Sequence, residues 1–117
     1  MPHASGYDAA AANHFGMEQA QPLVATPAAG NPIAKPVLAL EGSPAVVVET
    51  LKGSDDGKAT ILRLRSVSAK DETVKLTWPA GSPKSVNLCP LDEDAGASVR
   101  ETVTVPGNGF VTLRAAW

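Results

Sequence analysis

The sequence has a single cysteine, Cys89, so no internal disulfide can form and the fold must stand on its apolar core. Aromatic residues are scarce as well: Tyr7, Phe15, Trp78, Phe110 and Trp117 make up only 4% of the chain, which leaves little for an aromatic binding platform. No apolar run approaches the ~20 residues that a bilayer-spanning helix needs, and no basic segment followed by an apolar one marks a signal peptide. Neither sign of charge dominates. Ten Lys and Arg against twelve Asp and Glu give a formal charge of −2, which removes the electrostatic case for nucleic acid or an anionic membrane surface. The 117 residues exclude a complete (β/α)₈ catalytic barrel, which takes about 250. The nucleophile elbow, the phosphate-binding loop, the H-E-x-x-H zinc motif and the dinucleotide fingerprint are all missing.

What is present suits a turn-rich β domain. Hydrophobic residues at 44% supply a core, and Gly and Pro at 10 each supply turns. Composition shifts near residue 44. The first 44 residues carry only four charged side chains, Asp8, Glu18, Lys35 and Glu41, with six of the ten prolines and eleven alanines. Residues 1–36 therefore read as a leader and 37–117 as the domain proper. In the leader, Ser5-Gly6-Tyr7-Asp8 fits a capping box ahead of an alanine run and predicts a helix from about Tyr7 to Gln19. Pro22, Pro27, Pro32 and Pro36 then predict an extended connector.

The domain proper is a series of short apolar runs with turns between them. Strands are expected at Val37–Glu41, Ala45–Lys52, Ala59–Val67, Glu72–Trp78, Ser85–Cys89, Val99–Val105 and Gly109–Ala116. Glu72–Trp78 has the clearest period of two, with Val74, Leu76 and Trp78 inward and Thr73, Lys75 and Thr77 outward. The gaps are too short for βαβ crossovers. The expected fold is all-β: an antiparallel, immunoglobulin-like β-sandwich of six or seven strands, preceded by a short N-terminal helix and a Pro-rich connector.

The run Ala45-Val46-Val47-Val48-Glu49-Thr50-Leu51-Lys52, the turn Asp55-Asp56-Gly57 and the strand Ile61-Leu62-Arg63-Leu64 together resemble the C-terminal region of glycoside hydrolase family 38 α-mannosidases. In the leader, Pro2-His3-Ala4-Ser5-Gly6-Tyr7 is similar to that family's Pro-His-x-Gly-x-aromatic segment, and Gln21-Pro22-Leu23-Val24-Ala25 to its x-Pro-Leu segment. Order and spacing match over roughly residues 2–66. Ser5 stands where the family usually has Gly, and Arg65-Ser66 replaces a frequent aromatic-Asn pair. The resemblance implies a parent enzyme that is a retaining, zinc-dependent α-mannosidase whose catalytic carboxylates and zinc ligands lie on an N-terminal domain. This chain would then be a non-catalytic accessory sandwich with no cofactor of its own. Its partners would be the remaining domains of the parent. The rival readings are a carbohydrate-binding module and a free-standing immunoglobulin-like interaction domain.

The candidate sites are few. A retaining glycosidase needs two carboxyl groups about 5–5.5 Å apart, one with a raised pKa. The acidic residues cluster instead in two Gly-containing turns, Asp55-Asp56 and Asp92-Glu93-Asp94, expected to be solvated. Asp92 and Asp94 are the calcium candidate, but the remaining ligands of an EF-hand are missing and a plain acidic loop is the simpler reading. His3 and His14 have no Cys or His partner at zinc-ligand spacing. Cys89 has no nearby activator and reads as an inert thiol. Lys52, Lys58, Arg63, Arg65, Lys70 and Lys75 are interspersed with acids and read as a solvated sheet face. Trp78 and Trp117 are the candidates for sugar contact, with Trp78 also expected in the core. Ala45, Val46, Val47, Val48 and Leu51 form a run that is apolar on both faces, which predicts a second cover on the strand, from the leader or a neighbouring domain. The compartment stays open; the lone cysteine and the lack of a signal peptide lean toward the cytoplasm.

Overall fold

The computed structural model describes residues 6–21, 25, 27, 29–31 and 35–117. Pro22, Leu23, Val24 and Pro32 of the expected connector, with His3 and Ser5, lie outside the described residues. The helix α1 runs over Ala9–Ala20, and its N-cap is Asp8, whose carboxylate accepts the Ala11 N–H at 3.0 Å. The expected capping box set this role on Ser5. Asp8 takes it because it directly precedes the alanines, the best helix formers, and satisfies a free N–H of the first turn as well as Ser does. The helix stops at Gln21, whose N–H bonds the Met17 carbonyl, just ahead of Pro22.

Eight strands follow: β1 Ala39–Glu41, β2 Val46–Gly53, β3 Ala59–Ser66, β4 Glu72–Thr77, β5 Ser85–Leu88, β6 Ser98–Val99, β7 Thr102–Val105 and β8 Phe110–Ala116. They form two antiparallel sheets, a three-stranded one in the order β1-β4-β7 and a five-stranded one in the order β2-β3-β8-β5-β6. The count exceeds the expected six or seven because Val99–Val105 is two strands. Arg100-Glu101 carries the chain from the larger sheet to the smaller, so Val99 and Val103 reach one core from opposite sides. Alternation alone cannot register such a change of sheet, because the inward residues stay in phase.

The core lies between the sheets. Leu62, Leu64 and Leu113 are fully buried from the larger sheet, and Val74, Leu76, Val103 and Val105 meet them from the smaller one. The turn after β7 packs closely on the β3–β4 loop. A Cβ at Gly107 would stand 2.4 Å from the Ala69 carbonyl oxygen, so only glycine allows this approach. Asn108 takes φ 52° in the same turn, and its N–H bonds the Ser68 carbonyl at 2.7 Å.

Strand β2 departs from a simple two-faced pattern. Its register against β3 shifts between Val48 and Thr50, leaving Glu49 as an extra residue. Before the bulge, Val46 and Val48 point into the core, and Val47 points out, opposite Arg65. After the bulge, Leu51 lies opposite Leu62, so it shares the face of Val48 and not that of Val47. Strict alternation along the run would put Leu51 on the face of Val47. The inserted residue exchanges the faces, and no periodicity argument can see it.

Candidate functional site

Three features of the surface bear on function, and the first is the outer face of β2 and β3. Val47 points away from the core yet is only 4% exposed. Its cross-strand partner Arg65 donates to Asn13 Oδ1 of α1 at 2.9 Å and pairs with Glu49 at 3.3 Å. His14 Nε2 lies 3.2 Å from the Pro44 carbonyl oxygen, and Met17 shares with Pro44 and Val47 the lining of a mainly apolar groove. Short polar contacts thus tie the helix to Arg65 of β3 and to Pro44 just before β2, and no residue of α1 is itself buried. Phe15 points elsewhere, 44% exposed. Arg63, on the same outer face, stacks over Phe110 at 5.4 Å and donates to Thr112 Oγ1 at 3.2 Å. The basic residues of β3, expected to be merely solvated, therefore have specific partners.

The second feature joins the two acidic turns. The β2–β3 turn and the loop after β5 meet where Glu93, 11% exposed at its side chain, pairs with Lys52 and accepts the Asp55 N–H at 2.8 Å. Lys52 also reaches Asp55 at 3.3 Å. Arg114 of β8 holds Asp56 at 2.7 Å and donates to the Glu93 carbonyl at 3.4 Å. Glu93 is thus an anchored residue where a solvated one was expected, and it takes φ 67° to reach its partners. The sequence showed both turns, but nothing in it tied Arg114 to them. The Lys52 ammonium and the Asp55 N–H hold the Glu93 carboxyl below its ordinary value. Ser54, the Lys58 N–H and Arg114 do the same, strongly, for Asp56. Glu93 and Lys52 favour each other's charged form, so Lys52 is raised, by Glu93 first and Asp55 second. Both carboxyl shifts run opposite to the raised pKa of a glycosidase acid.

A pH dependence follows from these directions. Groups with depressed folded-state pKa values stabilise the fold above their unfolded values and lose that contribution as pH falls through the folded ones. Unfolding free energy should therefore decline as pH drops below the ordinary carboxyl values of 4.5 for Glu93 and 3.8 for Asp56. The double variant Glu93→Gln, Asp56→Asn should show a shallower acid limb in urea melts run between about pH 5 and pH 2. An identical slope in the wild type would remove this cluster as a source of acid sensitivity.

The third feature is the end of the sandwich near the start of β5. Trp78 and Trp117 meet edge to face there, with ring centroids 5.6 Å apart and planes at 90°. Trp78 packs on the core, as expected, and the Trp117 indole N–H donates to Thr60 Oγ1 at 3.3 Å. Perpendicular rings do not make the coplanar pair of a sugar platform. Trp78 alone lines a cleft between the end of β4 and the β5–β6 hairpin.

The remaining candidates are simply placed. Asp92 and Asp94 are exposed, and Asp92 Oδ1 accepts the Asp94 N–H at 3.3 Å. Among the described residues no group of three or more His, Cys, Asp or Glu side chains is arranged to hold a metal ion. Cys89 is buried, and its burial pushes the thiol above its ordinary value, which keeps it protonated at neutral pH.

With this geometry in hand, the comparison with protein families is direct. The family model described as the glycosyl hydrolases family 38 C-terminal β-sandwich domain matches residues 45–115. The chain belongs to this family. The match runs from the start of β2 through nearly all of β8, so it takes in both sheets, the bulge and the two acidic turns. No curated protein and no solved structure matches the chain. As a family 38 C-terminal sandwich, the domain sets the bulged strand β2, with α1 on its outer face, at one edge of its larger sheet.

Proposed function

We propose that this chain is the non-catalytic accessory sandwich of a larger α-mannosidase-like glycoside hydrolase, and that its role is to support the parent enzyme structurally. The observation that carries the reading is the family 38 C-terminal match across seven of the eight strands, β2 to β8. The charge chemistry supports it. Glu93 and Asp56, the carboxyls of the acidic turns with resolved shifts, are committed to Lys52 and Arg114 and held in the ionised form. A general acid at near-neutral pH needs the reverse. Zinc, in this reading, belongs to the catalytic domain of the parent, and the described residues of this chain offer no ligand set for it. Residues 1–36 are the end of the preceding region and 37–117 the accessory domain.

The test has two arms. The purified chain, supplied with zinc and a chromogenic aryl α-mannoside, should release no product above the buffer blank and retain no stoichiometric zinc after dialysis. In the parent enzyme, deletion of residues 45–115 should lower the melting temperature by several degrees and leave the zinc content of the catalytic domain unchanged. Turnover or one tightly held zinc per isolated chain would overturn the proposal.

A further inference from the structure

We propose that the cleft between the end of β4 and the β5–β6 hairpin is a binding site for a neutral saccharide. Its volume of about 540 Å³ lies within the range of small-ligand pockets, roughly 300–1,000 Å³. One wall is Trp78, whose orientation is held by the perpendicular Trp117 ring 5.6 Å away. An indole in the wall offers apolar surface against which the C–H groups of a pyranose pack. The floor is fixed by the Leu76 N–H, which bonds the Glu101 carbonyl at 2.8 Å and ties β4 to the β6–β7 connection.

The polar lining decides the ligand class. Three cationic side chains, Lys75, Lys84 and Arg100, face it together with two carboxylates, Glu41 and Glu101. Among the described residues, neither Lys84 nor Arg100 takes part in an ion pair. Lys75 reaches Glu101 only at 3.7 Å, and Glu41 accepts from Thr77 Oγ1 only at 3.5 Å. These groups hold hydrogen-bonding capacity that the protein leaves largely unused. An anionic ligand would meet Glu41 and Glu101, and a cationic one would meet Lys75, Lys84 and Arg100. A hydroxyl group donates and accepts, so a neutral polyol satisfies both kinds of lining at once. Trp78, Leu76, Val86 and Val99 form the apolar part of a lining that is otherwise polar. This inference is independent of the accessory role, which the deletion experiment tests separately.

The experiment is an ¹⁵N–¹H NMR titration of the full 117-residue chain. The probes are neutral methyl pyranosides of glucose, galactose and mannose and neutral disaccharides, with glucuronate and glucosamine as charged controls. The expected result is a saturable shift of the Trp78 indole N–H and of the Lys84, Arg100 and Glu101 amides with at least one neutral probe. Glu101→Gln and Arg100→Gln, both at exposed positions, should weaken that binding about ten-fold without altering the melting temperature. Three results would overturn the proposal: no saturable shift up to about 50 mM of any neutral probe, saturation only by a charged control, or shifts confined to other surfaces.

Discussion

Removal of residues 1–36 is expected to make the remaining sandwich self-associate through the outer face of β2. Val47 is the reason. It points out of the sandwich, away from the core that buries Val46, and is nevertheless 4% exposed, on a groove whose other wall is α1. Without α1, Val47 and the neighbouring Pro44 lose one wall of the groove they line. Burial of a side chain of this size is worth about 1.5–3 kcal/mol, which favours a second copy or a strand-edge partner once the helix is gone. The backbone of β2 adds to this tendency, since it is the edge strand of its sheet and eight residues long. Arg65 would also lose the Asn13 contact and keep only Glu49. Sedimentation of residues 37–117 over a wide concentration range should show dimers or larger species, and Val47→Thr should return the truncated chain to monomer. A truncated domain that stays monomeric with unchanged stability would mean that α1 covers nothing of consequence.

Leu62→Ala is expected to cost about 3 kcal/mol of unfolding free energy, with a fall in melting temperature of about 10 °C. Leu62 is 0% exposed at the middle of β3, flanked on the ladder by Leu51 on β2 and Leu113 on β8. The smaller sheet closes over it with Val74, Leu76, Val103 and Val105. Truncation leaves a cavity that two hydrogen-bonded sheets cannot collapse to fill. A domain of this size has about 6–17 kcal/mol in total, so the loss is a large share. Leu51→Ala provides the internal contrast. It removes the same atoms from the directly paired position, but Leu51 is 48% exposed at the sheet edge, and the cost should stay near 1 kcal/mol. Equal losses in urea melts of the two variants would show that the edge of β2 is covered as thoroughly as the centre of the sheet.

Much of the architecture was legible because its signals are local. The alternation of Val74, Leu76 and Trp78 with Thr73, Lys75 and Thr77 gave β4 its inner and outer faces, and Glu72–Thr77 is the strand observed. The Pro106–Gly109 and Asp55–Gly57 segments marked turns through residues that accept tight or left-handed backbone. The run Ala45–Lys52, the turn Asp55–Gly57 and the strand Ile61–Leu64 pointed to family 38, and all three lie inside the family match at 45–115, whereas the two leader segments lie outside it.

The errors and omissions have physical causes. The capping-box spacing points to Ser5 as the helix cap, whereas Asp8 does the capping because it directly precedes the alanines. Glu49 looked like one more residue of an apolar strand, and only pairing with β3 shows that it is a bulge. For the candidate site, composition showed that β2 was apolar on both faces. That α1 lies beside that strand depended on a contact between residues 52 positions apart, Asn13 and Arg65.

The sequence by itself determined the class of this protein: a disulfide-free, turn-rich sandwich with an N-terminal helix and the strand and turn motifs of family 38. Each of these is written in neighbouring residues, in a period of two, a cap or a turn dipeptide. The tertiary structure alone decided which residues of β2 turn outward, that Glu93 is anchored by Lys52 while Arg114 grips Asp56, and that Trp78 and Trp117 meet at right angles at one end of the core. Those outcomes depend on the order in which strands lie side by side, β2-β3-β8-β5-β6, and on one inserted residue. Strand order is set by the packing of the whole core, and a local pattern carries no information about it.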